Sequence, residues 1–347
     1  MKALVLSDYK QLEIVDVAKP RAAADELLIR VAACGICGSD VHGYDGSTGR
    51  RIPPIVMGHE AAGVVEEVGN AVSGFRAGDR VTFDSTVFCG QCFFCRRGQV
   101  NLCDQREVIG VSTPAFRRMG AFAEYVAVPA RIAYHLPPEM LFAHAALIEA
   151  VSVAVHAVSL TPIALDDTVL VVGAGMIGLL TLQAALLAGA GRVFVIDVDG
   201  TRLQLARDLG ATRTFNSREP AALAEIMELT AGRGVDAALE CVGTTATVKY
   251  AIDLTRKGGT ATLVGNIAPT IELGLQSVVT RQIRVQGSCA SSGEYPACIA
   301  LMSRGSIRVG PLLTAVAPLE DGPAWLQRLY AREPGLLKVV LQPGSTA

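Results

Sequence analysis

The chain carries two kinds of hydrophobic periodicity, and one replaces the other near residue 150. From Glu26 to about Tyr134 the apolar positions fall in short runs, LLIRVAA, AAGVVEEVG, DRVTF and AFAEYVAVP, separated by glycine-rich turns. β-branched runs of this length between turn residues predict an all-β region with little helix. From about residue 168 the runs TVLVV, RVFVID, VDAALE and TATLVG alternate with helix-length segments such as TRLQLARDLG. That alternation predicts a doubly wound parallel sheet. The segment ALIEAVSVAVHAVSLT, 146–161, has helical apolar spacing and is expected to join the two parts. The last strand signal, LLKVVLQP, has no place in the parallel sheet and is expected to return to the first domain. The expected division is 1–150, 151–287 and a C-terminal segment 288–347.

Composition narrows the function. At 347 residues, half of them apolar, the chain is long enough for two cores. A formal net charge of −2, with Lys and Arg spread along the chain, recommends neither a nucleic-acid nor a membrane-surface partner. A small neutral or modestly charged ligand fits better. The start, MKALVLSDYK, has too short an apolar run for a signal peptide, so a cytoplasmic location is expected. Residues 168–191 lack any charge and pass a crude membrane-span filter, but their glycines and strand-like start fit a buried strand, loop and helix. Nine cysteines, without an export signal, argue against a disulfide framework and for metal chemistry in a reducing compartment.

Gly173-Ala174-Gly175-Met176-Ile177-Gly178 is G-x-G-x-x-G, directly after TVLVV and opening the helical LLTLQAALLA. This is the context in which a dinucleotide pyrophosphate sits on a helix N-terminus. Asp197 ends the next strand, where a carboxylate accepts hydrogen bonds from ribose hydroxyls and repels a 2′-phosphate. NAD is therefore predicted over NADP, with Arg202 placed to cover the adenine or soften that choice.

Two constellations carry metal chemistry. Cys89, Cys92, Cys95 and Cys103 offer four thiolates from one lobe, about 86–106, with little core of its own. Four-cysteine sites are closed and suit structural Zn²⁺, with an iron–sulfur cluster as the alternative. Cys37, the pair His59-Glu60 and Glu149 are dispersed. Together they could form an open, catalytic Zn²⁺ site. By spacing alone, a core histidine and a helix-start carboxylate explain them as well.

Cys37 within GICGSD, the GHE at 58–60, the four-cysteine lobe and the GAGMIG turn come in the order and at the spacing of zinc-containing medium-chain alcohol dehydrogenases. The chain resembles the polyol branch of that family, sorbitol and galactitol-phosphate dehydrogenases, with threonine and butanediol dehydrogenases nearby. The resemblance implies a GroES-like β-barrel catalytic domain beside the Rossmann sheet, and two Zn²⁺ per chain. It makes Cys37, His59 and Glu60 zinc ligands, with Glu149 near the metal and able to exchange with Glu60, and Asp40 the carboxylate that orients His59. Ser39 and His42 match the proton-relay positions. Ile177, Asp197, Arg202, Val264, Gly265, Asn266, Ser288, Cys289 and Ala290 match cofactor contacts. The reaction implied is hydride transfer between a secondary alcohol and NAD, in a homodimer or homotetramer, with substrate between the domains. A metal- or redox-sensing protein using Cys34 and Cys37 is the reading from another class.

The sequence also departs from the sorbitol pattern. Gly43 stands where an aromatic residue follows the relay histidine, and Ala290 where an arginine lies near the nicotinamide. Tyr44 is the residue expected to supply a displaced ring. Cys34, Cys241, Cys289 and Cys298 are read as packing residues, and His135, His144 and His156 as structural.

Overall fold

The computed structural model describes residues 1–344. The chain forms two compact units. The first comprises Met1–Glu149, Ser291–Ser303 and, of the described residues, 309–344; the second comprises Ala150–Ala290 and Arg304–Arg308.

The first unit is built on a sheet that runs Ala133–His135, Arg80–Phe83, Glu60–Val68, Glu26–Gly35, Lys338–Gln342, Leu313–Pro318, with Tyr125–Pro129 also paired to Glu26–Gly35. Strand Glu26–Gly35 is its spine. It is buried along most of its length, so LLIRVAACG reads as a near-continuous apolar run rather than an alternating one. Lys338–Gln342 lies antiparallel to it, with Val340 opposite Gly35 and Leu341 opposite Cys34. The late LLKVVLQP signal therefore does rejoin the first β region. A core that includes Leu27, Ile29, Phe83, Ile109, Phe122 and Leu341 fills the unit.

The second unit is a six-stranded parallel sheet, Arg213–Asn216, Arg192–Asp197, Thr168–Val172, Val235–Glu240, Thr255–Leu263, Arg284–Gly287. Numbered in chain order this is 3-2-1-4-5-6, the doubly wound dinucleotide-binding order. The uncharged stretch 168–191 is a fully buried strand, Thr168–Val172, followed by helix Met176–Leu187. At 1.5 Å per residue that helix spans only about 18 Å, short of a bilayer core. Among the described residues one helical stretch, Phe142–Ser159, is long and apolar enough to cross a membrane, and 61% of it is buried inside the protein.

The units divide at Glu149/Ala150 and Ala290/Ser291, where 150/151 and 287/288 were expected, and one short segment crosses back. The chain passes back to the first unit at Ser291, but Arg304–Arg308 returns to the second. Hydrogen bonds explain the excursion. Arg308 N donates to Gln183 Oε1 at 2.7 Å, Gln183 Nε2 donates to Arg308 O at 3.2 Å, and Arg308 Nη2 donates to Asp208 O at 2.7 Å.

Candidate active site and cofactor loop

The short helix Gly38–Gly43 begins on an unusual cap. Cys37 takes the N-cap position, its sulfur accepting from Ser39 N at 3.5 Å, while Asp40 Oδ2 accepts from Cys37 N at 3.2 Å. The two reciprocal bonds are those of a capping box with a thiol in place of the usual hydroxyl. They fix the Cys37 sulfur beside the helix start. Ser39 and His42, three residues apart, fall on one face of the same helix.

His59 and Glu60 arrive where a tight turn enters strand Glu60–Val68. Gly58 makes that turn at φ +88°, and a Cβ there would stand 2.6 Å from the Phe122 ring. The ligating atoms of Cys37, His59 and Glu60 all lie within 4.8 Å of one another. Glu149 is not one of this close group, although it is partly buried and electrostatically linked to His59 and Glu60.

Charge around the group is arranged with care. Asp40 is wholly buried, and its Oδ1 accepts from Arg51 Nη2 at 3.0 Å and Arg51 Nε at 3.3 Å while facing His59 Nδ1 at 3.5 Å. Burial would raise this carboxyl, but the charges and hydrogen bonds of His59 and Arg51 hold it well below the usual carboxylate range. Ser39 Oγ lies 3.4 Å from His59 Nε2 and accepts from Arg51 Nη2 at 3.2 Å. Glu60 Oε2 forms a buried ion pair with Lys338, whose ammonium also donates to Ile36 O at 3.0 Å. Gly35 makes room for this pair, since a Cβ there would stand 2.3 Å from Glu60 Oε2 and 3.1 Å from Lys338 Cε.

Burial pushes Glu149 up to about 7, with Glu60 and Asp84 adding to the rise and His59 and Lys338 opposing it. Burial likewise pushes Asp84 up to about 6 against the hydrogen bonds it accepts from Thr86 N at 2.8 Å and Ser291 Oγ at 3.3 Å. His42 is lowered, first by burial and then by the charge of Arg332, with Asp45 opposing.

The donor set passes the test for a metal. Thiol, imidazole and carboxylate converge, and although burial opposes it, Asp40 and Cys37 push the pKa of His59 well above the usual imidazole value. The pocket is thus built for a positive charge.

Cys89, Cys92, Cys95 and Cys103 also converge within 4.8 Å, on a lobe whose 3₁₀ turns Cys95–Arg97 and Val100–Leu102 have little core. Backbone amides point at the sulfurs: Cys89 N and Gln105 N each donate to Cys103 Sγ at 3.3 Å, and Gln91 N to Cys89 Sγ at 3.5 Å. Such donors favour thiolates, the form that binds a metal.

In the second unit, Gly173 turns at φ +97° between strand Thr168–Val172 and helix Met176–Leu187. A Cβ on Gly178 would stand 1.8 Å from Gly173 O, whereas one on Gly175 would meet nothing within 4 Å. The third glycine is therefore required by packing and the second faces open space, with Met176 and Ile177 beginning the helix. Asp197 Oδ2 accepts from Ala174 N at 2.5 Å and Oδ1 from Asp199 N at 2.9 Å, so the carboxylate is fixed beside the glycine turn. Arg202 lies with Nε 3.8 Å from Asp199 Oδ2. Val264 and Gly265 leave strand Thr255–Leu263 donating to Glu240 O at 2.8 and 3.0 Å, and Asn266 follows. Glu240, fully buried, also accepts from Val242 N and Gly243 N at 2.8 Å and so shapes this second turn. Ser288 N donates to Leu263 O at 2.9 Å, Cys289 is exposed rather than packed, and Ala290 adopts φ +52°.

Two expectations fail here. Tyr44 is turned into the core, its hydroxyl donating to Lys10 O at 2.7 Å and its ring meeting Tyr330 edge-on at 5.5 Å, so it offers no displaced ring to a substrate. Cys289 is not a packing residue. Arg51, Lys338, Asp84 and Glu240 line these sites without any sequence motif to mark them. A lysine in the middle of the apolar LLKVVLQP run is the one signal among them, since a buried lysine needs a partner.

Comparison with known proteins follows the same division. The family model for the alcohol dehydrogenase GroES-like domain matches residues 23–138, and that for zinc-binding dehydrogenases matches residues 177–304. Sorbitol dehydrogenase from Bacillus subtilis (strain 168) is 35% identical over 99% of this chain and 97% of its own. Among solved structures, a zinc-binding dehydrogenase from Sinorhizobium meliloti 1021 bound to NADP superposes with a TM-score of 0.89 at 34% identity, covering 99% of each chain. Galactitol-1-phosphate dehydrogenase from Escherichia coli gives 0.91 at 28% identity, covering 99% of this chain and 100% of that one.

Proposed function

The chain belongs to the zinc-binding medium-chain dehydrogenases, in their polyol-dehydrogenase branch, and from that premise we propose how its residues divide the work. It oxidises a secondary alcohol of a polyol, sugar alcohol or sugar-alcohol phosphate to the ketone, with NAD as partner. The observation that carries this reading is the convergence of Cys37, His59 and Glu60 within 4.8 Å, with Ser39 Oγ 3.4 Å from His59 Nε2.

Cys37, His59 and Glu60 would hold the catalytic Zn²⁺, and Cys89, Cys92, Cys95 and Cys103 the structural one. The catalytic ion supplies Lewis acidity that makes an alcohol proton easier to remove, and the nicotinamide supplies the hydride acceptor. Asp40 orients His59 through Nδ1 and leaves Nε2 as the inward-facing ligand atom. Lys338 holds Glu60 through Oε2, which leaves Glu149 as the carboxylate able to exchange with it. Ser39 takes up the alcohol proton, and His42, on the same helix face, delivers it to solvent.

The NAD preference is supported by Asp197, whose carboxylate stands fixed beside the glycine turn where a 2′-phosphate would be repelled. Gly173, Gly175, Met176, Ile177 and Gly178 would take the pyrophosphate, and Arg202, Val264, Gly265, Asn266, Ser288, Cys289 and Ala290 the rest of the dinucleotide. Four convergent free thiols need a reducing compartment, which supports the cytoplasm. We further infer a homo-oligomer acting on a small molecule, without a membrane or nucleic-acid partner.

The decisive experiment measures NADH and NADPH formation over a panel of polyols, sugar alcohols, their phosphates, threonine and butanediol, alongside metal analysis. Turnover of at least one polyol with zinc present is expected. Absence of turnover across the panel would refute the reading.

A further inference from the structure

Arg51 is buried, at 3% exposure, although it follows an exposed arginine in the loop sequence GRRIPP. A guanidinium taken out of water is costly unless its donors are satisfied. Those donors go to two residues of the proposed relay helix. Nε and Nη2 both reach Asp40 Oδ1, at 3.3 and 3.0 Å, and Nη2 also reaches Ser39 Oγ at 3.2 Å.

Room for Arg51 comes from Gly43. A Cβ at that position would stand 2.3 Å from Arg51 Cγ and 3.0 Å from Arg51 Cβ. Cβ is fixed by the backbone, and Cγ can move away only by a change of χ1 that would carry the guanidinium off Asp40 and Ser39. A side chain at 43 and the seated Arg51 therefore exclude each other. The backbone at Gly43 is helical and needs no glycine for its conformation, so the missing side chain is explained by the arginine alone.

We propose that Arg51, admitted by Gly43, is a positioning residue of the proton path through Ser39. A guanidinium donates only and does not give up its proton. Ser39 Oγ must therefore accept from Arg51 and turn its own hydroxyl proton elsewhere. When the alcohol O–H bond breaks, a new Oγ–H bond forms as the serine's original Oγ–H bond breaks, and that proton passes into the relay that ends at His42. One O–H bond is made for each one broken, so Ser39 ends as it began, and a bound nicotinamide would supply the separate hydride acceptor. The fixed positive charge 3.2 Å away stabilises the electron-rich oxygen during that exchange. By drawing on Asp40 Oδ1, Arg51 also fixes the carboxylate that faces His59.

The proposal rests on the dehydrogenase reading above, and one set of variants separates the two. Wild type, Arg51→Gln, Arg51→Lys, Gly43→Ala and the Arg51→Gln/Gly43→Ala double variant are assayed with the best alcohol of the panel, in H2O and D2O, and their melting temperatures are recorded. Arg51→Gln should lower kcat by about tenfold or more with KM little changed, and raise the solvent isotope effect as proton transfer becomes limiting. Arg51→Lys, which keeps the charge and loses the shared fork, should recover part of the rate. Gly43→Ala should copy Arg51→Gln, and the double variant should be no slower than either single one. Its melting temperature should likewise fall by less than the sum of the two single losses.

A merely structural arginine would lower the melting temperature and leave the isotope effect unchanged. That outcome, or rate losses that multiply in the double variant, would overturn the proposal while the dehydrogenase reading stands. Should Arg51→Gln fail to fold, Arg51→Lys and Gly43→Ala decide by the same isotope effect. If the wild type reduces neither NAD nor NADP with any alcohol, the dehydrogenase reading fails and the proposal with it.

Discussion

The glycine turn of the second unit offers a paired test in which two alanine substitutions should do opposite things. At Gly178 an added methyl carbon would stand 1.8 Å from Gly173 O, 2.9 Å from Gly173 C and 3.4 Å from Val171 Cγ1. Two of these are backbone atoms of the turn itself, so nothing flexible can yield. Overpacking of this kind costs about 1–3 kcal/mol, and at roughly 2–4 °C per kcal/mol the melting temperature should fall by several degrees. At Gly175 the new carbon meets nothing within 4 Å, and φ −74° suits any residue. Loss of a glycine cap and gain of backbone restriction oppose each other there, each worth up to about 1 kcal/mol, so stability should change little. The same methyl occupies the space through which a pyrophosphate must approach the backbone. NADH affinity, followed by quenching of intrinsic fluorescence or by calorimetry, should weaken at least tenfold, or about 1.4 kcal/mol. A Gly175→Ala protein that binds NADH like wild type would show that the dinucleotide does not sit on this turn. A Gly178→Ala protein with unchanged melting temperature would show that the helix and strand are not as closely packed as described.

Other substitutions test the remaining parts of the site. Asp197→Ala should raise the NADP-to-NAD ratio of kcat/KM, and an unchanged ratio would remove the ribose role. Cys103→Ser should lower bound zinc from about two to about one per chain and open the 86–106 lobe to limited proteolysis; full metal content would refute the structural site. Lys338→Met removes the buried cation paired with Glu60, so in zinc-stripped protein the unfolding free energy should fall by about 3–5 kcal/mol in a denaturant titration. His42 has its pKa lowered by burial and by Arg332, so its neutral, proton-accepting form persists to lower pH than in a free histidine. Arg332→Gln removes one of the lowering influences and should move the acid limb of the kcat/KM profile to higher pH, while Asp45→Asn should move it lower; limbs that stay fixed would separate His42 from the rate.

What the sequence displayed and what it concealed follow from how far each interaction reaches along the chain. The G-x-G-x-x-G turn, the four-cysteine lobe and the alternation of strands and helices are local, because their determinants lie within a few residues of one another. Cys37, Ser39, Asp40 and His42 were legible for the same reason, and the cap that fixes Cys37 is made within four residues. His59 and Glu60 are some twenty residues further on and were readable only through a short motif whose spacing the family supplies. Arg51 and Lys338 had no such motif. Lys338 reaches its partner across 278 positions, from the end of the chain to the start of strand Glu60–Val68, through a strand pairing that no local pattern specifies. The Arg304–Arg308 excursion was missed likewise, since it depends on Gln183.

Gly43 and Tyr44 show how a correct observation can point to the wrong physical cause. The sequence marks this pair as a place where the chain leaves the sorbitol pattern, and the simplest inference is an aromatic ring displaced by one residue. On a helix, however, one residue is a rotation of about 100°, so adjacent side chains cannot face the same target. Tyr44 is accordingly buried against the Lys10 backbone and the edge of the Tyr330 ring. The space left at Gly43 is filled from outside the helix, by an arginine eight residues later that no periodicity ties to it. The departure thus concerns the surroundings of Ser39 and Asp40 more than a lost wall of a substrate pocket. On the proposal above, substrate contact and proton handling compete for this one position, because a residue able to restore the aromatic contact at 43 would displace the guanidinium from the serine.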